Sequence, residues 1–375
     1  MADQTPPNLP VLLRWMIEKS ASDLHLVGGA PPLLRVDGAL APLPGPPLDA
    51  DQARSLCYST LTDDQRARFE RERGLAFVFP LRSVARFRGV LSLQRGVVSG
   101  SFRAIPLRIL AVEELGLPPV VAELALRPRG LVVVAGPVGS GKSTTAAALV
   151  DKVNASVRQH VLTLEEPVEF LHPPKLCLVS QRDVGVDARS MREAVRHAAR
   201  QDVDVVLVGE ARDADSVEGA LALAEAGRLV ITTVNALSCV HALERLVALL
   251  PSAQQARARS RLAAVVQGVV SQQLLPRLGT PGRALAIEVL WPSSVVRALV
   301  REDKLAQLHA HMQSGPPGVQ TMNQSLALLA SRSVIAYEDA FAHSNDPEEL
   351  RALLENRPSH PQPTPSQLRP YTGGG

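Results

Sequence analysis

Apolar residues recur with two different periods along this 375-residue chain. Near the N-terminus Leu9, Leu12, Leu13, Met16 and Ile17 fall at helical spacing and predict a helix over 8–19. Short alternating segments at 22–26 and 33–36, interrupted by Pro31 and Pro32, read as strands. Helices are expected over 50–61 and 63–73, then short antiparallel strands at 77–79, 85–88, 90–93 and 101–104. Together these make an α+β domain over 1–106. Pro106, Pro118 and Pro119 stiffen a linker over 107–118, with one helical turn near Glu113–Leu117. The pattern then changes. Four runs are apolar throughout, at 131–135, 161–164, 205–208 and 229–233. Such runs suit parallel strands buried on both faces, so an α/β core is expected over 119–275. Within it Asp213 caps a helix that ends near Gly227, and 254–273 reads as one helix. A strand at 287–290 and five helices between 294 and 355 make the region 276–357 mostly helical. Beyond Pro358 the Pro-, Ser- and Gly-rich composition predicts a disordered tail, 358–375.

The first buried run ends in Gly136, Pro137, Val138, Gly139, Ser140, Gly141, Lys142, Ser143 and Thr144, and helix formers follow. Strand, glycine-rich loop and helix in that order turn the spacing G-x-x-x-x-G-K-[ST] into a phosphate site. Glycines let successive N–H groups point at an anion, and the helix presents its positive end to the same anion. Lys142 then reaches the β- and γ-phosphates, and Ser143 holds Mg²⁺. The other buried runs also end in polar groups: Glu165, Glu166 and Glu169 after the second, Glu210 after the third, Asn235 after the fourth. Ligands of open α/β sheets sit beyond the carboxyl ends of the strands. Hydrolysis of a nucleoside triphosphate needs charge neutralisation and a positioned water. Glu210 at the end of a Walker B strand stands near the metal, and one of the earlier carboxylates orients the water.

Composition narrows the field. Aromatic residues are 3% of the chain and the net charge is +3, which speaks against a nucleic-acid platform. Cys57, Cys177 and Cys239 are widely spaced, odd in number and without metal spacing, so they are expected to be small buried or half-buried residues. The N-terminus lacks a basic segment followed by an apolar stretch, and no run has the length of a membrane span. A cytoplasmic location is expected. Two sets of arginines leave alternatives open. Arg82, Arg86, Arg88, Arg95 and Arg103 either cover an exposed sheet face or reach a nucleotide on a neighbouring subunit. Arg189, Arg192, Arg196 and Arg200 share one helix face, either solvated or a subunit contact.

With these motifs in place the chain resembles the secretion and type IV pilus ATPases, within them the PilT-type retraction motors, from about Ser22 to about Ala340. The phosphate loop matches. Thr163–Phe170 resembles the Asp box, with Glu166 where aspartate is usual, and Ser180–Gly185 matches the segment after it. Arg200–Asp213 matches the Walker B signature, with Val203 for proline. Val296–Lys304 resembles the C-terminal retraction motif, with Ala298 for asparagine. The resemblance implies a PAS-like N-terminal domain, a RecA-like P-loop core and C-terminal helices. It also implies ATP with Mg²⁺ as cofactors and a homohexamer with nucleotide between subunits. The ring would be peripheral at the inner face of the cytoplasmic membrane, on a platform protein of a pilus machine and beside a second pilus ATPase in some assemblies. It implies Glu169 as the carboxylate that polarises water, and arginines acting across the interface, with Arg88 and Arg103 as candidates. The family's two His-box histidines are Arg228 and Asn235 here. That departure leaves two functions in view, a retraction motor or an ATP-binding auxiliary subunit with weak hydrolysis.

Overall fold

The structure, a computed structural model, describes residues 8–36, 38–82, 84–315 and 318–355; the expected tail at 358–375 lies outside the described residues. The chain divides into two units. The first holds the residues up to Ile109 together with Glu166–His172, and the second holds Leu110–Glu165 and the chain from Pro173 onward.

The first unit begins with α1 (Leu9–Glu18), whose N-cap Asn8 accepts from Val11 N. Strands β1 (Asp23–Leu26), β2 (Leu33–Val36) and β3 (Ala39–Pro42) follow, then α2 (Ala50–Tyr58) and α3 (Asp63–Glu72). Both of these helices start in capping boxes, Asp49 with Gln52 and Thr62 with Gln65. Strands β4 (Gly74–Leu81), β5 (Ala85–Gln94) and β6 (Val97–Ile105) complete an antiparallel sheet of order β3-β2-β1-β6-β5-β4. One face packs on Leu9, Leu13, Phe69, Phe87 and Phe102, all buried. The expected break between 85–88 and 90–93 is absent. Gly89 sits inside one long β5, where an added Cβ would lie 2.7 Å from the Phe77 ring. The glycine makes room for a ring instead of ending a strand.

The second unit contains α4 (Pro119–Ala125), β7 (Gly130–Gly136), α5 (Lys142–Ser156), β8 (His160–Glu165), β9 (Leu178–Asp183) and α6 (Met191–Ala198). Next come β10 (Val205–Glu210), α7 (Ala214–Glu225), β11 (Leu229–Asn235), α8 (Cys239–Ala248), α9 (Ser252–Val265), β12 (Val266–Pro276) and β13 (Arg283–Leu290). The chain closes with α10 (Ser294–Arg301), α11 (Ala306–Gln313), α12 (Met322–Ser331), α13 (Tyr337–Ala342) and α14 (Pro347–Glu355). The sheet order is β13-β12-β7-β11-β10-β8-β9, parallel except for the β12–β13 hairpin. Alternate residues of β7 face opposite cores: Leu131, Val133 and Ala135 join one, Val132 and Val134 the other. Burial on both faces is why these strands are apolar throughout. The fold class expected from the sequence, α/β with a parallel P-loop core, a preceding α+β domain and C-terminal helices, is the one observed.

Three expectations are corrected. The helix over 254–273 ends at Val265, and β12 occupies the rest. The core sheet does not stop at 275, because β13 belongs to it. The stretch 119–275 is also not one unit, since Glu166–His172 leaves it for the first. Cys57, Cys177 and Cys239 are free and buried, as their sequence context suggested.

Candidate nucleotide site

Strand β7 is buried along its whole length and delivers the loop at its carboxyl end. Gly136, Gly139 and Gly141 take φ of +151°, +81° and +88°, values that a side chain resists. At Gly136 space is also closed: an added Cβ would lie 2.5 Å from the Gln272 carbonyl oxygen of neighbouring β12. Gln272 reaches the loop a second time, its Nε2 donating to the Ser140 carbonyl at 2.6 Å. Helix α5 starts at Lys142, capped by Gly141 without a side-chain bond, so its first amides are left to an anion. Lys142 Nζ donates to the carbonyls of Gly136 (2.9 Å) and Pro137 (2.8 Å). Burial pushes its ammonium below the ordinary lysine range, and the Glu210 carboxylate opposes that shift. Ser143 is exposed and Thr144 half-buried on the first turn, where a hydroxyl can face a cation or phosphate.

Strands β10 and β11 bring two more groups to the same end of the sheet. The β10–β11 register shifts between Val208 and Glu210, and Thr232 Oγ1 donates to the Gly209 carbonyl at 2.9 Å within that bulge. The irregularity turns Glu210 outward at the strand end. Asn235 Nδ2 donates to Glu210 Oε1. Asn235 lies directly opposite Gly136 across the β7–β11 ladder. The structure thus gathers Lys142, Glu210 and Asn235 around the loop, with Glu165 at the end of β8.

Arg228 is not among them. It precedes Leu229, whose partner in the ladder is Gly130, so it lies at the opposite end of a strand roughly 20 Å long. Its guanidinium donates to the carbonyls of Ala199 (3.1 Å) and Gln201 (3.4 Å), past the end of α6. Arg228, a candidate nucleotide contact through its His-box position, is thus placed away from the loop of its own chain. Glu166 and Glu169 belong to the first unit. There Glu169 pairs with Arg88 at 2.8 Å, and Arg86 donates to the carbonyls of Glu169 (2.5 Å) and Val168 (3.2 Å). Arg103 pairs with buried Asp23 at 2.8 Å. Both candidate interface arginines therefore already hold a carboxylate of their own chain. Arg192, offered as a subunit contact, binds Asp215 at 2.6 Å within the chain.

Sequence reasoning missed Gln272, because it fell inside the stretch read as helix. Its one signal was a polar triplet, Ser271–Gln272–Gln273, between apolar pairs at 269–270 and 274–275.

A glycine loop at the carboxyl end of a central parallel strand, a lysine folded into it and a carboxylate on the next strand but one define a P-loop nucleotide-binding core. Residues 105–332 match the family model described as type II/IV secretion system protein. Over 338 residues the chain is 41% identical to the type IV pilus retraction ATPase PilT of Pseudomonas aeruginosa, covering 90% of this chain and 98% of that one. It is 35% identical to the type IV pilus ATPase PilU of the same organism, covering 92% and 90%. The crystal structure of the pilus retraction motor PilT with bound ADP superposes with a TM-score of 0.79 at 40% identity, over 92% of this chain and 99% of that one. The chain belongs to the type II/IV secretion system ATPase family, and the resemblance read from its motifs is borne out.

Proposed function

We propose that this protein is an ATP-hydrolysing motor that retracts a type IV pilus, working as a homohexamer at the cytoplasmic face of the inner membrane. The observation that carries the reading is the cluster of Lys142, Glu210 and Asn235 around the glycine loop, in a chain 41% identical to a retraction ATPase along nearly its whole length. The backbone amides of Gly139–Ser143 and the ammonium of Lys142 hold the β- and γ-phosphates of ATP. The residues present fit Mg²⁺ as well: the exposed Ser143 hydroxyl and the Glu210 carboxylate are hard oxygen donors, and the ion supplies charge neutralisation when bound. Glu169 takes the proton of the attacking water, and Thr144, Glu165 and Glu166 frame the site. Arg88 and Arg103 are candidates for completing a neighbouring subunit's site, which requires each to exchange its present carboxylate for phosphate. The force is delivered to a membrane platform protein of the pilus machine. Among the described residues no helix is long and apolar enough to cross a membrane.

Asn235 favours a second reading. It stands where the resemblance expects a histidine, and its amide cannot titrate. An auxiliary subunit that binds ATP and works beside an active homologue would carry that change. Turnover by the isolated full-length chain decides between them. The motor reading expects Mg²⁺-dependent hydrolysis that is abolished by Lys142→Ala and by Glu169→Ala. An assembled ring that binds ATP but hydrolyses none above the Lys142→Ala blank would overturn it.

A further inference from the structure

Helix α5 begins in the phosphate loop, and twelve residues further on, about 18 Å along its axis, it carries Asn154. This side chain is fully buried, and both ends of its amide are engaged. Oδ1 accepts from Lys175 N at 3.0 Å and from Cys177 N at 3.4 Å, while Nδ2 donates to the Pro173 carbonyl at 2.8 Å. The Asn154 carbonyl accepts from Leu176 N at 2.9 Å. Two more contacts hold the same limb to the same helix: Lys175 Nζ pairs with Asp151 at 2.7 Å, and Cys177 Sγ donates to the Val157 carbonyl at 3.0 Å.

A buried asparagine that satisfies a loop is ordinary. What this loop does is less so. Pro173–Cys177 is the return limb of the excursion Glu166–His172, the seven residues that leave the second unit and carry Glu169. The outgoing limb is fixed where β8 ends, with Val184 N donating to the Glu165 carbonyl at 2.7 Å. The return limb has no strand pairing until β9 begins at Leu178. Between Glu165 and Leu178, Asn154 holds the re-entry point with three side-chain bonds and one main-chain bond. Without them the chain between fixed points lengthens from the seven residues 166–172 to the twelve residues 166–177. The same rigid helix therefore holds the phosphate loop at one end and the root of the Glu169 excursion at the other.

We propose that Asn154 is a positioning residue for hydrolysis: by clamping Pro173–Cys177 to the phosphate-loop helix it sets the reach of the segment that presents Glu169. The proposal rests on the reading of Glu169 as the water-activating carboxylate. A clamp of this kind acts on the chemical step and not on nucleotide binding, since it touches neither the loop amides nor Lys142. A misplacement of a catalytic group by about 1 Å costs on the order of a hundredfold in rate, so partial loosening is expected to cost about tenfold.

The test uses the full-length chain with three variants, Asn154→Ala, Lys175→Met and Glu169→Gln. Asn154→Ala is expected to lower kcat about tenfold with KM for ATP and the affinity for ADP changed less than about twofold. Hydrogen exchange should speed up at the amides of 168–177 while β7 and the first turns of α5 keep their protection. Lys175→Met removes only a half-exposed ion pair and leaves the core intact. It is expected to lower kcat about two- to threefold at unchanged KM, and it carries the test alone if Asn154→Ala does not fold. Wild-type kcat in Asn154→Ala, or in Lys175→Met where that variant stands alone, overturns the positioning role. So does a loss shared equally by nucleotide affinity, or unchanged exchange across 168–177. Glu169→Gln separates the two claims. If it hydrolyses ATP at the wild-type rate, the reading of Glu169 fails and the positioning role falls with it. If it is inactive while Asn154→Ala turns over normally, only the positioning role falls.

Discussion

Arg228 and Asn235 bracket a single strand, and the two ends of a parallel strand have different chemistry. Asn235 meets the loop and Glu210; Arg228 satisfies carbonyls beyond the end of α6. Replacing Arg228 by alanine is therefore expected to leave ATP turnover within about twofold of wild type and to cost about 1 kcal/mol of stability, for two carbonyl hydrogen bonds lost in a partly exposed setting. Parallel turnover assays and urea denaturation check this; a collapse of hydrolysis without destabilisation would put Arg228 back in a site, supplied from another subunit. The placement of Lys142, Ser143 and Glu210 at one end of the sheet was legible from sequence because it follows from position relative to a glycine loop and to a strand end. Arg228 was misplaced because a motif gives spacing along the chain and not which end of the strand a residue occupies.

At the scale of elements the clearest case is β12. The stretch 254–273 is rich in helix formers and its apolar residues are not alternating, so length and composition favoured one helix. From Val266 onward the segment is mostly buried on both faces, and periodicity alone does not separate such a strand from a buried helix. The consequence is functional, since the strand supplies Gln272 to the phosphate loop. Gln272→Leu keeps the volume and removes the bond to the Ser140 carbonyl. It is expected to weaken ATP binding about fivefold, the equivalent of about 1 kcal/mol, with the unfolding midpoint nearly unchanged. A fluorescent nucleotide titration measures the first and thermal denaturation the second; equal affinities would mean that the loop holds its shape without β12. The excursion Glu166–His172 had no sequence signal at all. Its residues resemble any loop after a strand; in the structure they belong to the first unit, where Arg86 donates to their carbonyls and Arg88 pairs with Glu169.

Among the described residues two acids are buried outside the nucleotide site, Asp23, which is paired with Arg103, and Glu288. Glu288 on β13 is 2% exposed, on the face shared with Ala286 and Leu290. Burial pushes its carboxyl up to about 8; a hydrogen bond from the Cys239 backbone opposes the rise, and the Glu349 carboxylate on α14 adds to it. Below about pH 4.5 the group is protonated in the folded and unfolded chains alike. Between about 4.5 and about 8 the unfolded chain releases its proton and the folded chain keeps it, so stability falls as pH rises, by about 1.4 kcal/mol per unit. Above about 8 the decline levels off. Glu288→Gln is expected to flatten this segment of the profile and to raise the denaturation midpoint at neutral and alkaline pH. Denaturation series across that range test it; parallel profiles for variant and wild type would show that the dependence lies elsewhere.

The excursion also bears on the order in which this protein takes shape as it leaves the ribosome. The first unit is nearly complete by Ile109, yet it owns Glu166–His172, which is made more than fifty residues later. At about 5–20 residues per second, several seconds pass before those residues are synthesised. Through that interval Arg86 and Arg88 lack the carbonyls and carboxylate of Val168 and Glu169 that later accept from them. The N-terminal unit cannot finish until β8 has been made and the chain has turned back from it. Its last contacts are thereby tied in time to the birth of the nucleotide-binding unit.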